Sequence, residues 1–212
     1  MSGEKTMSFK KNKYKLIKNA MSKDLAIFCY NYLLMKKQVY DTCIEHRYFS
    51  PYEKILGYYE SEKDQIPKTY CNYSDIAMET LLLKLQPIVE KESNLKLYPN
   101  YTYSRNYKKG DELKKHIDRF SCEISTTLNL GGDPWPIYLK SKEGKNLKFS
   151  LKPGDMLIYR GSDLEHWREP FKGNDCVQVF LHYTNVKTKY SGSNIFDKRL
   201  HLGLPAWFKD KV

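Results

Sequence analysis

The sequence predicts a mainly β fold, a sandwich or barrel flanked by helices that precede it. Three observations carry this. Apolar and polar residues alternate in several short segments between Lys96 and Tyr183, and Gly- and Asp-rich turns separate them. Two helix-period segments precede the strands. Finally, 212 residues with 41% hydrophobic and 29% charged side chains suffice for one two-layer domain.

Taken in order, the chain opens on a basic tail, with seven lysines and one glutamate up to Lys23. Tyr14 to Ala20 alternates like a short strand. Ser22 is placed to cap a helix through about Ile44, whose apolar face would carry Leu25, Phe28, Cys29, Tyr32, Leu33 and Val39. His46 to Tyr73 has no steady period and reads as a long loop over a site. Ser74 would cap a second helix, from Asp75 to about Ser93, kinked or divided at Pro87. Strands are expected at Leu97 to Tyr107, Glu123 to Leu130, Ile137 to Lys140, Leu147 to Leu151, Met156 to Tyr159 and Cys176 to Tyr183. Gly131-Gly132 reads as a plain turn, because no Lys-Ser/Thr or helix start follows it. The division expected is a tail with supporting helices (1–95), a β core (96–190) and a C-terminal segment packing on that core (191–212).

Composition excludes several classes. No apolar run approaches the roughly 18 to 20 residues that span a bilayer. The N-terminus lacks the apolar core and cleavage site of a secretory signal. Five scattered cysteines, Cys29, Cys43, Cys71, Cys122 and Cys176, show no CxxC spacing, which points to a reducing, cytoplasmic compartment. The formal charge of +11 raises the question of a polyanionic partner. Only six of the 36 basic residues are arginine, however, and arginine supplies the bidentate contacts of specific recognition, so nucleic acid is not favoured.

The chemistry sits in the β half. His116-Ile117-Asp118 places an imidazole and a carboxylate two residues apart, on one face of an extended backbone. His166 follows the strand Met156 to Tyr159 and can reach that pair if the strands close into a jelly roll. Two histidines and one carboxylate on one face of a metal are the ligand set of mononuclear non-heme Fe(II) oxygenases. His182 reads as a packed histidine rather than a fourth ligand.

The run Tyr107-Lys-Lys-Gly110-Asp-Glu-Leu113-Lys-Lys-His116-Ile-Asp118 resembles the signature of prolyl-4-hydroxylase-like Fe(II)/2-oxoglutarate dioxygenases. Pro153-Gly154-Asp155-Met-Leu-Ile-Tyr159, then His166 and Pro170, is similar to that family's turn, strand and distal histidine. The resemblance implies a double-stranded β-helix (jelly roll, cupin-like) with an N-terminal helical support. It implies Fe(II) on His116, Asp118 and His166, a 2-oxoglutarate cosubstrate helped by the Tyr107 hydroxyl, O2 as oxidant and ascorbate in support. The activity implied is hydroxylation of an unactivated C–H bond, with release of succinate and CO2, on a peptide such as a prolyl side chain, an amino acid or another metabolite.

The chain departs from the family in one respect. The basic residue that the family carries on its last core strand, to pair with the distal carboxylate of 2-oxoglutarate, is absent near Cys176. A dianion in a partly apolar pocket needs a cation. Arg168, two residues past His166, is the first candidate and Lys140 the second. Arg105, Arg119 and Trp135, which stands between Pro134 and Pro136, are candidates for contacting substrate. The competing function is a non-catalytic jelly-roll module that binds nucleic acid or another polyanion.

Overall fold

A computed structural model describes residues 8–50, 53–189 and 191–209; the first seven residues of the basic tail lie outside them. A one-turn helix α1 (Phe9–Asn12) leads into β1 (Tyr14–Ile17), then α2 (Lys23–Glu45), β2 (Tyr58–Tyr59), β3 (Tyr70–Tyr73) and α3 (Ile76–Ser93). Eight strands follow: β4 (Leu97–Lys108), β5 (Leu113–His116), β6 (Ile124–Gly132), β7 (Ile137–Lys140), β8 (Asn146–Phe149), β9 (Met156–Tyr159), β10 (His166–Arg168) and β11 (Asp175–Asn185). They form a seven-stranded antiparallel sheet in the order β1-β9-β6-β11-β4-β3-β2 and a four-stranded one in the order β5-β10-β7-β8. The two sheets pack face to face, with Leu157 and Tyr159 of one against Ile137, Leu139 and Phe149 of the other.

Strand alternation assigns each face of the large sheet its role. Val177, Val179, Leu181 and Tyr183 of β11, with Ile124, Leu128 and Leu130 of β6, point to the helices and meet Leu33, Leu82, Leu85 and Val89. The residues between them are polar and aromatic: His182, Phe180, Gln178 and Cys176 on β11 stand beside Tyr101, Tyr103, Arg105 and Tyr107 on β4. An interior face this polar, buried against a second sheet, is costly unless its groups are hydrogen-bonded.

Several elements differ from the sequence expectation. Ser22 caps α2, accepting from the Leu25 amide at 3.3 Å, but the buried stripe of the helix runs through Ala26, Cys29, Leu33 and Tyr40. Phe28 and Val39 face solvent instead, 68% and 44% exposed. The stripe is rotated toward smaller residues because the helix lies close to the sheet: a Cβ on Gly131 would stand 2.7 Å from the Tyr30 ring. Gly131 and Gly132 are accordingly the last residues of β6, and Gly132 has a left-handed φ of 89°.

Asp75, not Ser74, caps α3, its side chain accepting from the Met78 amide at 3.0 Å. The helix continues through Pro87, because that residue lies on the exposed side and Leu83, whose carbonyl loses its partner, faces solvent there too. The segment read as one long loop contains β2 and β3, which extend the large sheet beside β4. β5 and β10, four and three residues long, carry no apolar alternation that would mark them as strands.

The C-terminal segment folds back on the core. Arg199 is buried and bonds Glu79 of α3 at 2.7 Å, and Asp197 gathers Tyr73, Arg119 and Lys209.

Candidate metal and cosubstrate site

The register of β10 on β5 sets His166 opposite His116, so that their ring centroids stand 4.2 Å apart. Asp118 lies just past β5, its amide donating to the Gly161 carbonyl at 2.9 Å. Both histidine Nε2 atoms lie 3.5 Å from Asp118 Oδ1. Each Nδ1 meets the carbonyl two residues earlier in the chain, Lys114 at 2.8 Å and Leu164 at 3.0 Å. That contact fixes the proton on Nδ1 and leaves the Nε2 lone pair free and aimed at a common point. Asp118 Oδ2 accepts from Ser125 Oγ at 2.8 Å, which holds the carboxylate's other oxygen toward the histidines. One ligand atom from each of the three residues falls within 4.8 Å of the others.

The electrostatics favour the anion a metal requires. Burial by itself would raise the Asp118 carboxyl; the adjoining imidazoles of His116 and His166, donors to it when protonated, outweigh burial and hold Asp118 well below the usual carboxylate range. Burial lowers His182 to about 4, so it is neutral, and its Nδ1 meets Ser125 Oγ at 3.1 Å while its ring stacks on Tyr101. Asp118, Cys122 and His182 form a second geometric cluster. The Cys122 thiol is pushed up to about 12, chiefly by burial, and meets the Tyr101 hydroxyl at 3.0 Å. It is a protonated, packed thiol rather than a ligand.

Farther along the same interior lie the residues suggested for the cosubstrate. Tyr107 is fully buried, edge-on to Trp135 with centroids 4.7 Å apart, and its hydroxyl has no hydrogen-bond partner among the described residues. Burial raises its phenol, against the pull of the Arg105 and Arg168 cations. Arg168 is 1% exposed. It donates to the Trp135 carbonyl and to Thr127 Oγ1, lies 5.0 Å from the Trp135 ring, and has an unpartnered Nε. Its neighbour Glu169 accepts from the Tyr138 hydroxyl instead, so Arg168 is a buried cation with no carboxylate in ion-pair range among the described residues. Lys140 is exposed and pairs with Glu165 at 3.8 Å, outside the interior.

The three substrate candidates separate. Arg105 is buried, and its Nη2 donates to Glu60 at 2.7 Å and to Gln65 at 3.0 Å. Arg119 is half exposed, holds Asp197 at 3.0 Å and lies over Tyr101. Trp135 is 7% exposed, donates from Nε1 to the Glu169 carbonyl at 2.7 Å and packs between Tyr107 and Phe171, away from the metal-side cavity. A cavity of about 250 Å³ joins Glu60, Tyr103 and Arg105 to His116, Asp118 and His166. A wider groove of about 690 Å³ borders it, sharing Gln65 and His116 and rimmed by Lys63, Lys108, Lys114 and Lys115. Another cavity, of about 400 Å³, lies between α2 and the C-terminal segment and contains none of these groups.

Sequence reasoning missed Glu60, Gln65, Thr127 and Gly161. A signal existed for one face only: Tyr101, Tyr103, Arg105 and Tyr107 alternate along β4. Gly161 is required because a Cβ there would stand 2.2 Å from Asp118 Oδ2.

No family model matches the chain, and no curated protein matches it significantly. Solved structures do. A prolyl-4-hydroxylase from Pseudomonas putida superposes with a TM-score of 0.54 at 13% identity, over 84% of this chain and 95% of that one. The non-heme α-ketoglutarate-dependent epimerase SnoN from nogalamycin biosynthesis gives 0.63 at 8% identity, over 85% and 81%. HygX from Streptomyces hygroscopicus, solved with nickel and 2-oxoglutarate bound, gives 0.55 at 11% identity, over 85% and 86%. The chain has the double-stranded β-helix fold of the 2-oxoglutarate oxygenases.

Proposed function

We propose that this protein is an Fe(II)- and 2-oxoglutarate-dependent oxygenase that hydroxylates an unactivated C–H bond of a peptide, amino acid or other metabolite. The observation that carries the proposal is the convergence of His116, Asp118 and His166, each oriented by its own hydrogen bond, on one face of the interior.

The residues present fit both groups. Two imidazole Nε2 atoms and one carboxylate oxygen suit Fe(II) and leave its remaining positions open. Beyond them Tyr107 and Arg168 offer buried donors without acceptors, as a carboxylate of 2-oxoglutarate would require. Bound iron and cosubstrate supply the O2 chemistry, with succinate and CO2 as products. The protein's residues orient the two ligands, keep Asp118 ionised and exclude water behind Trp135 and Phe171. The metal and cosubstrate residues all come from residues 96–190, which we take as the catalytic core, while Glu60 and Gln65 of the N-terminal part wall the cavity.

All five cysteines are free, which suits a reducing compartment such as the cytoplasm. No described helix is long and apolar enough to cross a membrane. A non-catalytic binding module would leave the three convergent ligands unused.

The deciding experiment incubates the purified protein with Fe(II), ascorbate and 2-oxoglutarate and measures succinate. Slow succinate formation that His116→Ala abolishes is expected. If the wild type neither binds nor decarboxylates 2-oxoglutarate, the proposal is wrong.

A further inference from the structure

Behind Asp118 lies a hydroxyl with more neighbours than it has protons. His182 of β11 stands opposite Ser125 of β6 in the ladder, so the two side chains share a face, and His182 Nδ1 lies 3.1 Å from Ser125 Oγ. The same Oγ lies 2.8 Å from Asp118 Oδ2 and 2.9 Å from the Cys122 carbonyl oxygen. An ionised carboxylate and a carbonyl can only accept, and a hydroxyl has one proton to give. Gly161 keeps the space for this contact, since a Cβ there would stand 2.7 Å from Ser125 Oγ.

That shortage fixes the tautomer of His182. If Nδ1 were the acceptor, it would take the Ser125 proton, and both oxygens would then face Oγ lone pair to lone pair at 2.8 and 2.9 Å. With the proton on Nδ1, His182 donates to Oγ and the Ser125 proton is released to an oxygen. Of the two, the carboxylate is the stronger acceptor. The chain of donors therefore runs from His182 through Ser125 to Asp118 Oδ2. It occupies the oxygen turned away from the histidines, for it is Oδ1 that lies 3.5 Å from Nε2 of both His116 and His166.

Resting on the oxygenase reading above, we propose that His182 is a positioning residue for the candidate metal ligand Asp118, acting through Ser125. Its Nδ1–H turns the Ser125 proton toward Asp118 Oδ2, which keeps that oxygen occupied and presents Oδ1 alone to the metal. A bound cation draws charge from the carboxylate and narrows its advantage as an acceptor. Without the His182 donor, the Ser125 hydroxyl is then free to turn to the Cys122 carbonyl, and Oδ2 is free to swing onto the metal and close one of its open positions.

The test uses the full-length protein and two readouts. Ring-nitrogen NMR of the metal-free protein, made with isotope-labelled histidine, is expected to show His182 as the Nδ1–H tautomer; the Nε2–H tautomer overturns the proposal. Water-proton relaxivity per bound Mn(II) then counts the water ligands on the ion. A carboxylate that holds the ion through both oxygens displaces one water, about one in three of those left by three single-atom ligands. Ser125→Ala and His182→Phe, which keeps a ring against Tyr101, should lower the relaxivity by up to about a third. His182→Asn, whose amide restores a donor near the place of Nδ1, should return it to the wild-type value. The double variant His182→Phe with Ser125→Ala should fall no further than Ser125→Ala alone, because both changes cut one chain. A histidine that is merely packed gives the opposite pattern, with Phe tolerated and Asn harmful. That pattern, or an unchanged relaxivity in Ser125→Ala, overturns the proposal. If the wild type binds no Mn(II), the oxygenase reading fails and this proposal with it, whereas a wild type that binds Mn(II) with His182 protonated on Nε2 sinks this proposal alone.

Discussion

Arg168 offers the sharpest test of how this interior holds a dianion. Replacing it with methionine keeps much of the volume and removes the charge. Two effects on the ligand-free protein oppose each other. The Trp135 carbonyl loses its donor, at a cost of about 1–3 kcal/mol, while a guanidinium that lacks a counter-ion no longer has to be desolvated, a gain of similar or larger size. The ligand-free variant should therefore melt within a few degrees of the wild type.

The ligand-bound state behaves differently, because charge-assisted hydrogen bonds to a buried carboxylate are worth about 1.5–3 kcal/mol each. Losing this cation should weaken 2-oxoglutarate roughly a hundredfold. At a concentration of about 100 times the wild-type Kd, the ligand adds about 2.7 kcal/mol of stability, roughly 5–10 °C for a chain of this size. Thermal melting of the Mn(II) protein with and without 2-oxoglutarate should show that shift in the wild type and almost none in Arg168→Met. An equal shift in the variant, or its loss in Lys140→Met instead, would refute the assignment of the cation.

Three further outcomes follow from the same geometry. Gly161→Ala puts a methyl 2.2 Å from Asp118 Oδ2 and 2.7 Å from the Cys122 carbonyl, so Mn(II) affinity should fall roughly 10- to 100-fold by titration, and an unchanged affinity would show that Asp118 is not a ligand. Asp197 is brought down to about 2 because Arg119, Lys209 and Tyr73 outweigh burial. Its folded value lies below its unfolded one, so its contribution of about 2 kcal/mol is complete above pH 4 and lost as pH falls toward 2. The urea-unfolding gap between wild type and Asp197→Asn should narrow over that window, and a gap constant with pH contradicts the network. Arg199→Met strands the buried Glu79 carboxylate and should cost about 3–5 kcal/mol in urea unfolding, with faster amide exchange in residues 191–209; slow exchange there would mean that other contacts anchor the segment.

The three candidate metal ligands are legible because their information is local. His116 and Asp118 share a face through a spacing of two, and a single turn and strand deliver His166. Arg168 was legible for the same reason, as the next residue of β10 on the face of His166. Glu60 was not, since it reaches Arg105 across 45 positions from a stretch without period. Nothing local distinguishes it from a surface glutamate. The phase of α2 was misread because Phe28 is more hydrophobic than Ala26, whereas close approach to the glycine end of β6 rewards the smaller side chain. Hydrophobicity ranks residues one at a time, but burial on that helix is decided by the distance to the sheet.

On the function proposed, the missing basic residue on the last strand is a relocation rather than a loss. Cys176 pairs in register with Tyr107, and the inward positions of β11 beside it, Cys176 and Gln178, are uncharged and tied together by a 3.2 Å contact. Arg168 comes from the opposite sheet and still reaches Thr127 of β6, which lies next to β11. A cation supplied from either sheet can serve the same volume, because the sandwich brings the two inner faces within one side-chain length of each other. The constraint is the need for one positive charge at the closed end of the interior, not the strand that carries it. Arginine can supply it from β10 while its place over the Trp135 ring and its bond to the Trp135 carbonyl hold the fork in position before any ligand arrives.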